Sequence, residues 1–375
     1  MLESLASRPA GDVPTRSATD DGVRVLFDVG HPAQVHLFRN AITGLESLGH
    51  ETYVTSREKE VTVDLLDAYG IAHTTLTTRG DSLPALLSEQ LLHETRLFSV
   101  ARRFDPDVVV SRLSPVPAHV SRLVGCRSVA VSDTHIDKRL VRLLYHGVTL
   151  PFVDTLCVPE SFELSIDDAK RRPMDFQELA YLHPAYFDPD PDILWNHGLT
   201  PDETFFVVRV AGWDAYHDAG YAGLSPPAIR RLVDMLSEEG AVFVSAEDTL
   251  PTDLEAHRLP TDPENIHHVL HYADLYVGDS GTMSTEAALL GTPAIRTNTM
   301  VGDDDENVFQ QLEDRYELLR SFADEDQALR AVQQLLARGI DRIDWDERRD
   351  RLLAEQPDVT RLIVETILES EADAT

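Results

Sequence analysis

The sequence predicts an α/β protein made of two Rossmann-like domains, each with a mostly parallel, doubly wound sheet. Buried-type apolar strands alternate with amphipathic helical segments in two successive series along the 375 residues. A stretch rich in Pro, Asp and Gly, residues 178–203, separates the two series, as is typical of a connection between domains. With 42% hydrophobic residues, the chain is long enough to form two full cores.

The first series predicts an N-terminal domain over residues 22–185. Residues 1–21 are dominated by Pro, Gly, Ser, Thr and Asp and predict a disordered tail. VRVLFDVG, from Val23, is a continuous apolar strand of the kind buried on both faces, and the helix that follows ends at Gly49. Later strands, separated by helical segments, are predicted at HETYVTS, IAHTTL, PDVVVS, RSVAVSD and TLCVPE.

The second series predicts a C-terminal domain over residues 186–345, and a helical segment is predicted from 346 to 375. FFVVRVAG forms its first strand and runs into the long irregular segment WDAYHDAGYAGLS. A helix over residues 226–239, the strand AVFVSAE and the segment NIHHVLHYA continue the alternation. The series then reaches ADLYVGDSGTMSTEAALLGTPAIRTN, residues 273–298, which carries the strongest indication of a ligand.

This last stretch predicts a strand, a turn of glycine and hydroxyl residues, a helix and a second strand. Free amides at the start of the helix favour an anion, for which phosphate is the obvious candidate. A carboxylate about one helical turn further on suits two neighbouring hydroxyls, so together the features indicate a nucleoside diphosphate, as in a nucleotide sugar. The alternative is a simple helix cap with a solvated glutamate. The predicted nucleotide-binding residues are Gly278, Ser280, Gly281, Thr282 and Glu286.

Arg209 lies near the end of the first strand of the second series. A guanidinium matches phosphate oxygens well, although Arg209 could instead pair with one of the many acidic residues. Long segments at strand ends are usually functional or mobile. Trp213 and His217, in the segment after Arg209, are therefore predicted to close over a base or sugar, with a packed loop as the alternative.

Polar residues at strand ends in the first series are candidates for substrate binding and proton transfer. Gly30, His31 and Pro32 follow the first strand, and ligands gather at such ends. His31 could donate to a phosphate, act as a general base or cap a helix. Asp133 and His135 follow VAV and are candidates for acceptor binding or proton transfer, or alternatively for helix capping. His31, Asp133 and His135 are thus the candidate catalytic residues, with Gly30 and Pro32 as substrate contacts.

The charge balance excludes several classes of partner. Asp and Glu number 65 against 33 Lys and Arg, and the formal net charge of -32 repels nucleic acid and anionic membranes. It suits a cytoplasm of high salt, and we expect a cytoplasmic protein because no apolar run has membrane-spanning length. His267, His268 and His271 have helical spacing but lack fitting partners, so neither a metal nor a cofactor is predicted. The oligomeric state is open, a homodimer being one option.

The segments FDVGHPAQVHLFRN, AYLHP and GDSGTMSTEAALLGTP together resemble the archaeal and bacterial DUF354 family, from about Val23 to Arg338. The two halves resemble the GT-B architecture, which implies an interdomain cleft. The family is similar to the non-hydrolysing UDP-N-acetylglucosamine 2-epimerases and to MurG-like glycosyltransferases. In the epimerases a DSGG turn and a downstream Glu bind UDP, and the matching positions here are Asp279, Ser280, Gly281, Thr282 and Glu286.

The chain departs from the epimerases elsewhere, with GHPAQ in place of a GTRPE-type loop and VRVAGWDAY in place of an HRREN-type segment. We therefore expect first a glycosyltransferase acting in glycan or glycolipid assembly. It would use a nucleotide sugar, UDP-linked by resemblance, and an unknown acceptor for which a lipid-linked molecule is one option. The first alternative is a sugar-nucleotide epimerase with its base and acid among Asp133, His135 and His217. The second is a non-catalytic nucleotide-sugar-binding or assembly protein.

Overall fold

The computed structural model describes eleven ranges of the chain: 13–16, 22–59, 61–78, 83–133, 145–161, 166–196, 198–210, 223–246, 249–302, 307–340 and 342–369. The chain divides into two compact units. Unit 1 comprises Met1–Tyr181 and Pro357–Thr375, and unit 2 comprises Leu182–Gln356. Each unit contains one parallel sheet.

The sheet of unit 1 has seven strands in the order β3-β2-β1-β4-β5-β6-β7. The strands are β1 (Arg24–Val29), β2 (Glu51–Glu58), β3 (His73–Thr78), β4 (Val108–Arg112), β5 (Arg127–Val131), β6 (Thr155–Val158) and β7 (Arg171–Pro173). The helices up to the unit boundary are α1 (Pro32–Ser47), α2 (Thr62–Ala68), α3 (Leu83–Phe104), α4 (Pro115–Val124) and α5 (Leu179–Leu182). Strand β1 lies between β2 and β4 and is buried along its whole length, which explains its mostly apolar sequence.

The sheet of unit 2 has five strands in the order β12-β11-β10-β8-β9. They are β8 (Phe205–Val210), β9 (Ala241–Ala246), β10 (Leu275–Gly278), β11 (Ala294–Thr297) and β12 (Leu319–Phe322). The helices are α6 (Asp192–Trp195), α7 (Pro226–Ser237), α8 (Ile266–Tyr272), α9 (Gly281–Leu289), α10 (Asn307–Gln310), α11 (Glu325–Arg338) and α12 (Arg342–Glu355). Helices α7 and α11 bury apolar faces against β8, β9 and β10, which forms the core.

The two strand orders place a switch point in each sheet. In unit 1 the chain moves from β1 to one side through β2 and β3, and then returns to the other side with β4. In unit 2 the corresponding reversal lies between β8 and β10. Ligands of open α/β sheets bind beside such points, at the carboxyl ends of the strands. The switch points therefore identify the edge at which each unit is expected to bind its ligand.

The predicted α/β fold with two parallel, Rossmann-like sheets is confirmed. Each strand predicted from the sequence is present. The short strands β7 and β12 were not predicted, because RRP and LRSF contain no apolar run long enough to indicate a strand. Within the described ranges, no helix is both long and apolar enough to cross a membrane.

The last helix, α13 (Val359–Leu368), belongs to unit 1, so the division differs from the predicted separate segment over 346–375. Arg127 of β5 donates hydrogen bonds to the carbonyls of Thr366 at 3.0 Å and Ile367 at 3.3 Å. Oγ1 of Thr360 donates to the carbonyl of Ala180 at 2.7 Å. The last carbonyls of a helix have no intrahelical donor, and a positive charge near them is favourable. Arg127 therefore stabilises the end of α13 and attaches it to the sheet of unit 1.

Candidate functional site

The glycine-hydroxyl turn predicted from the sequence connects β10 to α9. Ser280 lies at the N-cap, where its Oγ accepts a hydrogen bond from the N–H of Met283 at 3.3 Å. Oγ of Ser284 donates to the carbonyl of Ser280 at 2.6 Å. The first N–H groups of a helix have no intrahelical acceptor, and within the described ranges those of Gly281 and Thr282 meet none. Ser280 therefore caps the helix, and the anion-binding capacity of the turn lies in its backbone.

The packing of unit 2 requires both glycines of this turn. A Cβ atom on Gly278 would lie 2.5 Å from Oη of Tyr276, 2.7 Å from Cβ of Arg209 and 2.9 Å from the Arg209 carbonyl oxygen. A Cβ atom on Gly281 would lie 2.9 Å from Cζ of Phe309. Burial raises the pKa of Tyr276 above its ordinary value, so its hydroxyl stays protonated in the core. Glycine is therefore needed at both positions because neighbouring protein atoms occupy the space of a side chain. The sequence alone did not indicate this reason.

We expect Gly278→Ala to destabilise the protein by about 1–3 kcal/mol, because the new methyl group overlaps the Cβ atom and the carbonyl oxygen of Arg209, which cannot move independently of β8. Gly302→Ala is a matched control, since a Cβ atom there meets nothing within 4 Å. Both substitutions restrict the unfolded chain similarly. Thermal unfolding of the two variants measures the difference, and equal melting temperatures would contradict this packing role of Gly278.

Two arginines flank Gly278 on the neighbouring strands. Arg209 of β8 and Arg296 of β11 are its register partners, so the three residues form one row at the carboxyl edge. Nη1 of Arg209 donates to Oγ of Ser245 at 2.8 Å. The buried guanidinium of Arg296 stacks on Phe309, with its carbon 3.5 Å from the ring centroid. The row places two positive charges beside the switch point of unit 2.

Glu286 lies on α9 and is buried, with 7% of its surface exposed. Its Oε1 lies 3.0 Å from Nε2 of His267, a buried residue of α8. When the carboxylate is ionised, Nε2 must carry the hydrogen of this contact. The sequence left open a solvated Glu286 as the alternative. The structure contradicts that alternative because the side chain is buried. His267 instead fixes the position of the carboxylate through Oε1.

The three histidines of α8, considered above as metal ligands, have separate surroundings. His267 contacts Glu286, whereas Nδ1 of His268 accepts a hydrogen bond from the N–H of Asp190 at 2.9 Å. The ring of His271 packs edge-on against a neighbouring tyrosine, with centroids 4.9 Å apart. In the part of the chain that the structure describes, no group of three His, Cys, Asp or Glu side chains is arranged to hold a metal ion.

The GHP segment of unit 1 begins helix α1. Nδ1 of His31 accepts a hydrogen bond from the N–H of Ala33 at 3.2 Å, and Pro32 occupies the first helical position. The N–H of Gly30 donates to Oε1 of Gln34 at 2.7 Å. Because Nδ1 is an acceptor here, a neutral His31 ring carries its proton on Nε2. His31 can therefore donate through Nε2 while it caps the helix, whereas action as a base through that atom requires the other tautomer.

Asp133 lies just beyond β5 with both carboxylate oxygens engaged. Arg112, at the end of β4, donates through Nη2 to Oδ1, and Gln177 donates through Nε2 to Oδ2. The structure thus joins the polar residues of two neighbouring strand ends. Gln177 is buried and was not predicted, since nothing in the sequence indicates that residue 177 returns to this edge. These contacts fix the orientation of the Asp133 carboxylate.

Three predicted site residues, His135, Trp213 and His217, lie outside the described ranges. Their roles stay predictions. The described chain resumes at Gly223, where a Cβ atom would lie 2.0 Å from Oδ2 of Asp279. Residue 223 is therefore packed against the turn that precedes α9.

Sequence reasoning missed the side chains that support this turn. Nδ2 of Asn298, just after β11, donates to the carbonyl of Asp279 at 3.0 Å. Phe309 of α10 fills the space beside Gly281 and stacks on Arg296. One signal was available: AIRTN places an arginine and an asparagine at the end of an otherwise apolar strand, where a buried polar side chain needs a partner.

A family model described as "Protein of unknown function (DUF354)" matches residues 23–371 of this chain. The chain belongs to the DUF354 family. The match includes both units, and it confirms the resemblance indicated by the GHPAQ, AYLHP and GDSGTMSTEAALLGTP segments. A protein of Methanocaldococcus jannaschii named "Uncharacterized protein MJ0665" is 23% identical over 288 residues, which cover 72% of this chain and 80% of that protein.

Solved structures similar to this DUF354 protein include a sugar-nucleotide epimerase and a glycosyltransferase, both of GT-B type. A UDP-GlcNAc 2-epimerase from Neisseria meningitidis, solved bound to UDP-GlcNAc, matches with a TM-score of 0.63 at 13% identity, over 93% of this chain and 100% of that chain. Spinosyn forosaminyltransferase SpnP matches with a TM-score of 0.62 at 18% identity, with the same coverage of 93% and 100%. The predicted GT-B type of fold is thereby confirmed. At these identities, the likeness does not distinguish an epimerase from a transferase.

Proposed function

We propose that this DUF354 protein binds a nucleotide sugar, UDP-linked, at the carboxyl edge of the unit 2 sheet and transfers the sugar as a glycosyltransferase. The observation that carries the proposal is the position of the α9 N-terminus beside Arg209, at the switch point of the sheet. A helix N-terminus offers N–H groups and about half a positive charge to an anion. A guanidinium adds a full charge and a planar pair of donors that suit phosphate oxygens.

Glu286 extends the proposed site from a phosphate to a nucleoside diphosphate. At 1.5 Å per residue, it lies about 7.5 Å further along α9 than Gly281, a separation suited to a ribose attached to the phosphates. An ionised carboxylate has roughly four acceptor positions. The contact with His267 holds this carboxylate in place, and we propose that its oxygens accept hydrogen bonds from the two ribose hydroxyls.

In the transfer step, negative charge develops on the leaving diphosphate. In the proposed complex, the N–H groups of Gly281 and Thr282 and the guanidinium of Arg209 bind this diphosphate, and preorganised donors lower such a barrier. On the acceptor side, we assign the base to Asp133, whose carboxylate is held by Arg112 and Gln177. His31 is then a donor through Nε2, since its Nδ1 caps α1.

Sugar-nucleotide epimerisation is the second candidate, and it is supported by the match to an epimerase along 93% of this chain. Conversion without an acceptor distinguishes the two reactions. An epimerase converts UDP-GlcNAc alone into an epimer, whereas a transferase releases UDP only slowly until an acceptor hydroxyl is added. A substrate left unchanged under both conditions, despite tight binding, would favour the non-catalytic nucleotide-sugar-binding protein.

Calorimetric titration of the full chain with UDP, GDP, CDP and TDP tests the binding proposal. We expect one of these, UDP first, to bind with a Kd of about 1 μM, equivalent to roughly 8 kcal/mol. We propose that no metal is needed, because the helix terminus and Arg209 already supply positive potential, so EDTA should leave the affinity unchanged. The titration is done in low and in molar salt, since screening weakens exposed charge contacts. Failure of all four nucleotides to bind in either salt would reject the proposal.

A further inference from the structure

A buried polar cluster lies under the carboxyl ends of β1, β2 and β3 in unit 1, apart from the residues of the proposed site. Its members are Asp28, Thr77, Glu89 and His93, which are 2% to 9% exposed, with Arg57 at its outer end. The side chain of Arg57 is 23% exposed. The cluster therefore leads from the centre of the sheet towards solvent.

The contacts of the cluster form a continuous chain. Nε2 of His93 lies 3.1 Å from both Oδ1 and Oδ2 of Asp28. Nδ1 of the same ring lies 3.0 Å from Oγ1 of Thr77, which lies 2.5 Å from Oε1 of Glu89. Nε of Arg57 lies 3.1 Å from that Glu89 oxygen. Each ring nitrogen of His93 thus faces an oxygen atom.

The hydrogens available to this chain can be counted. The contacts Asp28–His93, His93–Thr77 and Thr77–Glu89 each need one hydrogen between their heavy atoms. The hydroxyl supplies one hydrogen, a neutral imidazole supplies one, and ionised carboxylates supply none. With ordinary neutral His93, one contact would hold two facing lone pairs in a buried place, which is costly. The cluster therefore holds one proton more than two carboxylates and a neutral imidazole provide.

This additional proton has three positions that need no movement of a heavy atom. On His93 it makes an imidazolium that donates through both nitrogens. On Asp28 it makes a carboxyl group that donates to Nε2, while Nδ1 donates to Thr77. On Glu89 it makes a carboxyl group that donates to Thr77, whose own hydrogen then points to Nδ1. Every contact contains a hydrogen in each arrangement, so the proton can move within the cluster.

Charge favours the arrangement with the proton on His93. Burial alone would raise the pKa of Asp28, but the charge and hydrogen bond of His93, with Thr55 and Arg57, lower that pKa below its ordinary value. Oγ1 of Thr55 donates to Oδ1 of Asp28 at 2.8 Å. With an imidazolium, the two carboxylates are balanced by two cations and the cluster including Arg57 is neutral. Without the proton, a net negative charge would be buried.

Asp28 is the member of the cluster that lies at the switch point of unit 1. Its register partner on β4 is Ser111, and the strand order reverses between β1 and β4. Ligands of open α/β sheets bind at this edge. Helix α3 also carries Glu94, which lies 3.6 Å from His119 of the neighbouring α4. Among the described residues, no hydrogen bond joins that pair to the cluster. The additional proton is therefore held next to a predicted ligand edge.

We propose that Asp28, His93, Thr77 and Glu89 form an acid site that holds one transferable proton at the switch point of unit 1. Its acceptor is a basic oxygen or carbon atom of a ligand bound at the carboxyl end of β1. The Nε2–H bond of His93 breaks as the proton passes to Asp28, which passes it on to form the O–H or C–H bond of the ligand. Neutral His93 keeps its Nδ1 proton, and a proton from water later restores the charge.

This acid site goes beyond the proposed glycosyl transfer, for which unit 1 supplies a base, Asp133. Epimerisation requires an acid as well as a base, and in that alternative Asp28 with His93 would be the acid. The charge of the cluster does not depend on which reaction occurs, and it does not depend on nucleotide binding in unit 2.

Nitrogen NMR of the full chain with 15N-labelled histidine tests the charge, and loss of a signal in His93→Gln assigns the ring. We expect both ring nitrogens of His93 to keep imidazolium chemical shifts at pH 8, where an unperturbed histidine with a pKa of about 6.5 is neutral. A His93 ring that titrates like a free histidine, or one that is neutral throughout, would overturn the proposal.

Variants at Thr77 test whether Glu89 shares the proton. In Thr77→Val, Nδ1 loses its acceptor, so we expect His93 to become neutral at pH 8 with its proton on Nε2. Thr77→Ser keeps the hydroxyl and should retain the imidazolium. An imidazolium in both variants would exclude the link to Glu89 and overturn the four-residue site. If Thr77→Val does not fold, the wild-type and Thr77→Ser spectra still decide the charge. Failure of the nucleotide titration would reject the proposed function without affecting these spectra.

Discussion

Glu286→Ala should weaken nucleotide binding by about 10- to 150-fold. The expected loss is one hydrogen bond to a charged group, about 1.5–3 kcal/mol, and each 1.4 kcal/mol changes Kd tenfold. The substitution also removes the partner of His267 Nε2, so the melting temperature should fall as well. Calorimetric titration with the nucleotide that wild type binds, performed well below the melting temperature, measures the affinity.

Two further variants separate the effect on the ligand from the effect on the fold. Glu286→Gln keeps the shape of the side chain and one acceptor oxygen, and its affinity should lie between wild type and Glu286→Ala. Glu239→Ala removes the same charge from an exposed position after α7, and it should leave affinity and stability unchanged. An unchanged affinity of Glu286→Ala with a lower melting temperature would mean that Glu286 serves only to hold His267.

The glycine-hydroxyl turn of unit 2 could be predicted because its signals are local. A strand, a glycine, a serine cap and a helical glutamate lie within a few residues of one another, and each has a known conformational preference. The reasons for the glycines could not be predicted, because Tyr276 and Phe309 approach them only after the sheet forms. Arg296 was missed for a related reason, since its stacking partner Phe309 comes from a different element.

The acid cluster of unit 1 was missed because its members are far apart in the sequence. Asp28 lies in a mostly apolar strand, and it is separated from His93 by 65 positions. Glu89 and His93 lie one turn apart on α3, a spacing that is ordinary for a solvated helix face. The apolar pattern predicts which strands are buried, but it does not indicate which polar side chains meet among them. The contact between α13 and Arg127 was missed for the same reason, because it joins two chain segments of unit 1 that are 239 positions apart.

His93→Leu should destabilise unit 1 by about 3–5 kcal/mol at pH 7, because removal of one partner leaves a buried carboxylate without its main cation. Because leucine fills a similar volume, the loss of stability comes from the missing charge and hydrogen bonds rather than from a cavity. Arg361→Ala is the matched control in the same unit. It removes one partner of the exposed pair with Glu365, N···O 2.7 Å, and should change stability by less than about 1 kcal/mol.

The pH dependence of this loss identifies its cause. In wild type the pKa of Asp28 is lowered on folding, so its contribution is present above the unfolded pKa of about 3.9 and is lost as pH falls through the folded value. Without His93, burial should raise the pKa of Asp28 above the unfolded value. The variant then loses stability as pH rises from about 4, because its folded state binds the additional proton. Urea unfolding at several pH values between 4 and 7 should therefore show the largest difference from wild type at neutral pH and a smaller one in acid. A difference that stays constant over this range would show that His93 stabilises unit 1 through packing rather than through the charge of Asp28.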